Sequence, residues 1–207
     1  MRTTSCDSKT PTAAQNDGSM AALDDIAALE RDFPRKRCSA SALIRDSIGN
    51  ILIVKPTYRE GWLLPGGIVE AMESPVDAVC REVFEEIGFK PKPEFLACVD
   101  HLSPSGGFGE AIHFMFACQE ITSEQVNGLA IDGREIEALR FVAETEAYVL
   151  LLPAIVRRIR ESLSGKPGYF HDGYRSVPFM ASPNHSGLTY HTSGSSTSKE
   201  DSATAST

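Results

Sequence analysis

The sequence predicts an α/β fold, a mixed sheet flanked by helices, set between two tails that have little to bury. Three observations carry that expectation. Short runs of β-branched and aromatic residues alternate with stretches of helical periodicity through the middle of the chain. The 207 residues, 42% of them hydrophobic, suffice for one sizeable core. The apolar runs are confined to the middle: residues 1–19 are rich in Ser, Thr, Asn, Asp and Ala, and residues 164–207 in Gly, Ser, Thr, Pro and His. Segments of that composition cannot offset the entropy of ordering, so both ends read as disordered.

The elements follow in order. Residues 20–35 have room for a short helix, over 21–31. Residues 39–45 and 50–55 form two strands joined by the turn Ser47-Ile48-Gly49. The apolar run from Trp62 ends in Pro65-Gly66-Gly67, and a helix follows. Further strands are expected over 95–102, over 111–119 with the dense run from Ile112 to Phe116, and over 136–142. Helices close the sequence over 145–152 and 153–163, the second with Ile155, Ile159 and Leu163 at four-residue intervals. Within the C-terminal tail, Tyr169, Phe170 and Tyr174 form an aromatic cluster between Gly168 and Tyr174. Packing back on the domain and packing on a partner both stay open for it.

The helix after the glycine pair carries the chemistry. Ser74 is a favoured N-cap, Pro75 suits the first helical position, and Asp77 can complete a capping box. Gly88 supplies the stop. At about 100° per residue, Glu82, Glu85 and Glu86 fall on one arc, and Val76, Cys80, Val83 and Ile87 on a neighbouring stripe that should face a core. Alone, three such glutamates would read as a solvated face. Converging within about 6 Å, they would repel by a few kcal/mol at an effective dielectric near 20. A divalent cation removes that penalty, and clustered carboxylate oxygens suit Mg²⁺ or Mn²⁺. The pair Gly66-Gly67 permits a tight turn and a close backbone approach to a metal or phosphate.

The spacing around these residues is specific. Gly67 is followed after five residues by Glu73, and after seven more by Arg81-Glu82-Val83-Phe84-Glu85-Glu86-Ile87-Gly88-Phe89. A chance match at average residue frequencies is on the order of 10⁻⁷. The pattern resembles the Nudix box, the signature of a family of metal-dependent pyrophosphate hydrolases, and the flanking pattern extends the likeness to residues 36–163. The resemblance implies an α/β/α sandwich with Glu82, Glu85 and Glu86 as ligands of Mg²⁺ or Mn²⁺. It implies that Glu73 and Arg81 hold loop and helix together and orient the carboxylates, with a direct phosphate contact by Arg81 as the alternative. It implies metal-assisted attack of water on a diphosphate, the base being one of these three glutamates, with Glu82 favoured, or a glutamate of a later loop.

The group attached to the diphosphate lies outside the box. Pro104, fifteen residues beyond Phe89, tilts the resemblance towards hydrolases of ADP-ribose and nucleotide sugars. The alternatives are a nucleoside triphosphate pyrophosphohydrolase of the nucleotide-pool-cleaning branch, a non-catalytic nucleotide sensor, and an isopentenyl diphosphate isomerase. An undamaged box disfavours the last two. Glu110, Glu135 and Glu137 are candidate extra carboxylates that would ordinarily stand solvated at the surface, and Trp62 is expected in the core.

Composition narrows the partners. The net charge of −8 argues against general nucleic-acid binding, and Arg35-Lys36-Arg37 reads as a solvated domain edge. The expected partner is a small-molecule diphosphate. Five cysteines without metal-like spacing read as reduced thiols of a cytoplasmic protein. The five histidines show no ligand spacing, and no apolar run is long enough to cross a membrane. Many members of the resembled family are dimers, so a homodimer is an open expectation.

Overall fold

The computed structural model describes residues 30–131 and 133–178, together with residues 26 and 28. The expected arm at 1–19 lies outside the described residues. Of the expected helix over 21–31, residues 26, 28, 30 and 31 are described, and they are helical.

Eight strands and four helices follow in the order β1 (Arg37–Leu43), β2 (Ile51–Pro56), β3 (Gly66–Ile68), α1 (Pro75–Ile87), β4 (Pro93–Leu102), β5 (Ala111–Cys118), α2 (Ser123–Asn127), β6 (Ile136–Val142), α3 (Glu144–Leu150), α4 (Pro153–Leu163), β7 (Gly168–His171) and β8 (Tyr174–Pro178). A mixed six-stranded sheet runs β3-β1-β5-β4-β7-β8, and β2 pairs with β6 as a separate antiparallel ribbon. Alternation along β1 serves two cores. Ala40, Ala42 and Ile44 pack with Val79, Val83 and Ile87 of α1. Leu43 joins Met115, Cys98, Phe170, Val156 and Ile159 on the other face, beneath α3 and α4. The α/β sandwich expected from the sequence is therefore present, with residues of successive parity directed to opposite layers.

Three parts of the sequence reading are corrected. Within 164–207, residues Gly168–Pro178 form a hairpin on the edge of the sheet, with β7 parallel to β4. Its Phe170 is fully buried, so the aromatic cluster packs back on the domain. The stripe on α1 is also shifted. Val76 is exposed, whereas Ala78 and Val79 are fully buried along with Val83 and Ile87. Val76 lies within about 20° of both Val83 and Ile87 around the helix, so its exposure reflects its place in the first turn of α1, at the end of the buried stripe. The third correction is a pair of short elements that carry little periodicity, β3 and α2, which the sequence reading passed over. Helix α2 is set by a capping box between Thr122 and Gln125.

Candidate active site

The site is built where β3 meets α1. Ser74 caps α1 by accepting from the Asp77 backbone N–H at 3.2 Å, while its hydroxyl donates to Asp77 Oδ2 at 2.6 Å. At the other end Gly88 takes the left-handed conformation, φ 70°, and its N–H reaches Phe84 O. Those two stops fix the phase in which α1 presents its carboxylates.

Two glycines bring the backbone of β3 against that helix. Gly66 has φ 136°, and a Cβ there would lie 2.2 Å from Ala40 O across the β1–β3 pairing. At Gly67 a Cβ would lie 2.3 Å from the carboxyl carbon of Glu82. The Glu82 carboxylate thus occupies the space that any other residue at 67 would fill. Glu86 is buried and accepts the Gly66 backbone N–H at 2.9 Å.

Arg81 ties the cluster together. Its Nε and Nη2 donate to Glu73 Oε1 at 2.8 Å and Oε2 at 2.9 Å, a two-pronged contact, and Nη2 also donates to Ile68 O at 3.1 Å. Nη1 lies 3.0 Å from both Glu82 Oε1 and Glu85 Oε2. The guanidinium holds the Glu73 carboxyl down at about 2, and Glu73 in turn holds Arg81 above its ordinary value. Glu73 and Arg81 therefore clamp the loop after β3 to the helix.

Glu82 differs from its neighbours. Its side chain is only 14% exposed, against 56% for Glu85. Burial pushes its carboxyl upward, Arg81 opposes that, and nearby Glu85 and Glu135 add to it. Glu135, from the segment before β6, is thus the later glutamate that approaches the cluster. Glu110 instead pairs with Lys36 and His101, and Glu137 with Lys55. Tyr58 stands exposed beside the cluster, and its phenol is held up first by partial burial and then by Glu86. The sequence carried no periodic signal for Tyr58, which sits in the irregular stretch after β2.

Among the described residues, no three His, Cys, Asp or Glu side chains stand together in a metal-holding arrangement. The Arg81 guanidinium fills the place between Glu82 and Glu85. The donor chemistry nonetheless fits a hard divalent cation: every candidate donor is a carboxylate oxygen. The Glu82 carboxylate sits in a cradle that a single Cβ would fill. Its upward shift is the electrostatic stress that a cation relieves.

Elsewhere the expectations resolve simply. Trp62 packs against the core with Arg140 over its ring. Cys38, Cys80, Cys98 and Cys118 are free thiols, and Cys6 lies outside the described residues. No helix among the described residues is long and apolar enough to cross a membrane.

A sequence model of the NUDIX domain matches residues 35–163. A MutT-like protein of Streptomyces ambofaciens is 25% identical over 141 residues, covering 67% of this chain and 85% of that protein. The putative ADP-ribose pyrophosphatase YjhB of Bacillus subtilis is 32% identical over 78 residues, so this chain spans 36% of that relative's length. Among solved structures, a UDP-X diphosphatase superposes with a TM-score of 0.57 at 22% identity, over 76% of this chain and 77% of that one. At that identity the likeness is one of fold.

Proposed function

Since this chain belongs to the NUDIX domain family and is a hydrolase of pyrophosphate bonds, we propose that its substrate is a small nucleoside diphosphate-linked compound of the ADP-ribose or nucleotide-sugar type. Glu82, Glu85 and Glu86 are the residues that would hold Mg²⁺, with Mn²⁺ as a substitute. A divalent cation bound there supplies electrophilic pull on the phosphate oxygens and acidifies water. The chain's own residues do the rest. Gly66 and Gly67 bring bare backbone to the edge where the diphosphate lies. Glu73 holds Arg81 in a two-pronged grip, so the guanidinium stays aligned with the carboxylates and within reach of phosphate. Glu82 is the candidate base: burial strengthens its attraction for a proton from the attacking water.

The observation that carries this reading is the seat of Glu82 over Gly67. It sets the Glu82 carboxylate against a bare strand edge, with Glu86 held on the neighbouring glycine N–H. The test is turnover of a diphosphate panel with and without Mg²⁺ by the native protein and by the variants Glu85→Gln and Glu86→Gln. Metal-dependent cleavage of an ADP-ribose or nucleotide-sugar compound is expected, falling about 10²–10³-fold in each variant. Tight nucleotide binding with no metal-dependent turnover of any compound would sink the proposal. A second reading is pyrophosphohydrolysis of a nucleoside triphosphate, since the carboxylate helix sets the bond cleaved and not the group attached to it. The same panel separates the two through the compound preferred.

A further inference from the structure

On the face of the sheet opposite α1, three side chains form a relay that the hydrolytic machinery does not use. Ser39 Oγ lies 2.8 Å from Nδ1 of His113, and Ser41 Oγ lies 2.9 Å from Nε2 of the same ring. The register sets this up: Ser39 is directly opposite His113 in the parallel β1–β5 pair, and Ser41 is two residues along on the same face. Neither hydroxyl has another hydrogen-bond partner among the described residues. On its other side β1 pairs with β3, with Ser39 opposite Ile68 and Ser41 opposite Gly66. The two serines therefore stand one strand spacing, about 4.8 Å, from β3, with His113 one strand further on, all on the face turned away from Glu82.

The ring is neutral at ordinary pH. Burial, and then the Arg158 guanidinium, push His113 down to about 3. A neutral imidazole has one N–H and one bare nitrogen, so one serine donates to it and the other accepts from it. The accepting serine keeps its own hydroxyl proton free. Ser41 is 7% exposed, while Ser39 and His113 are partly exposed. A free donor at Ser41 would be buried and unsatisfied, a costly arrangement. The favoured state has Nδ1–H donating to Ser39 and Ser41 donating to Nε2. The proton left over is then that of Ser39, on the accessible side.

We infer that Ser39 is a hydrogen-bond donor to a neutral acceptor on the group carried by the substrate's diphosphate, held in that role by His113 and Ser41. This deepens the proposed function and rests on it for the identity of the ligand. A base carbonyl or ring nitrogen and a sugar oxygen share the acceptor chemistry required. His113 and Ser41 are positioning residues, since they act through Ser39.

Two measurements on the full chain without divalent cation test this, and neither depends on turnover. The first is the nitrogen-15 NMR signature of the His113 ring, expected to show the Nδ1–H tautomer, the reverse of what free histidine favours. The second is calorimetric binding of AMP, UMP and ribose 5-phosphate to the native protein, Ser39→Ala and Ser39→Thr. The Ala variant is expected to weaken nucleotide binding about tenfold, and the Thr variant, which keeps a hydroxyl, to restore it to within about threefold. Loss confined to AMP and UMP assigns the acceptor to the base; loss shared by ribose 5-phosphate assigns it to the sugar. An Nε2–H tautomer, equal binding by native protein and Ser39→Ala, or no binding of any probe would each overturn the inference. Turnover of the diphosphate panel remains a separate readout, so a failure here leaves the hydrolase reading standing or falling by itself.

Discussion

Single positions in this protein are set by space and backbone angle as much as by chemistry. Gly67 makes the sharpest case, because the Glu82 carboxylate already occupies its missing side chain. Gly67→Ala should leave the chain folded by circular dichroism yet lower kcat/KM about 10²-fold, since a displacement near 1 Å at a reacting group costs that much. Met72 is the opposite case: fully exposed, and left-handed at φ 65°. That conformation costs a non-glycine residue roughly 1–2 kcal/mol, and glycine's extra freedom in the unfolded chain returns part of it. Met72→Gly should therefore stabilise the protein by about 0.5–1 kcal/mol in urea denaturation. His113 makes stability pH-dependent. Its pKa falls from 6.5 to about 3 on folding, so below 6.5 the unfolded chain binds the extra proton. Its contribution is complete above pH 6.5 and is lost progressively towards pH 3. Denaturation midpoints should drop over that window, and less so in His113→Asn. The carboxylates of α1 were legible in the sequence because their spacing is local. The partners of His113 were not, because Ser39 and Ser41 lie over seventy residues away and meet it only through strand register.

At the scale of elements, legibility followed length and punctuation. Strand β6 and helix α4 stand where the periodicity placed them, at Ile136–Val142 and Pro153–Leu163. Helix α1 was bounded by Ser74 and Gly88, residues whose roles are local. Replacing Ser74 by Ala removes an acceptor for the Asp77 N–H and should cost about 1 kcal/mol in thermal unfolding. Its effect on hydrolysis should exceed that stability cost, because fraying of the first turns loosens Arg81 from Glu73. Strand β3 escaped notice because its three residues have no alternation to read: two are glycines, paired with β1 for reasons of tertiary space. The hairpin β7–β8 escaped for another reason. Its composition is polar and glycine-rich, and Phe170 is its one large side chain fully buried. One such side chain in a polar stretch leaves no periodic trace.

The molecule as a whole extends beyond the region that matches the NUDIX domain sequence model. The matched region stops at residue 163, but the core and its polar fastenings continue into the hairpin. Asp100, fully buried, accepts from Arg158 Nε at 2.5 Å and from the Gly173 N–H at 2.8 Å. Arg157 Nη2 donates to Asp172 O, and the Ser103 N–H donates to Asp172 Oδ1. Cutting the chain after Leu163 removes Phe170 from the core and bares the edge of β4. Such a truncation should be insoluble or lack a cooperative melt, whereas ending the chain after Pro178 should preserve one. Phe170→Ala should cost about 3–5 kcal/mol in chemical denaturation, the usual loss for a large buried aromatic.

The parallel pairings that bracket the centre of the sheet carry a consequence for how the chain reaches this state. Ser39 waits for His113, 74 residues on, and Asp100 waits for Gly173, 73 residues on. Loops of that length must close before the contacts reward them, which places the protein among slow folders of high contact order. Until β5 and β7 arrive, β1 and β4 offer unpaired edges to any neighbouring chain. Yield on refolding should therefore fall as protein concentration rises, a vulnerability set by sheet order rather than by the stability of the finished fold.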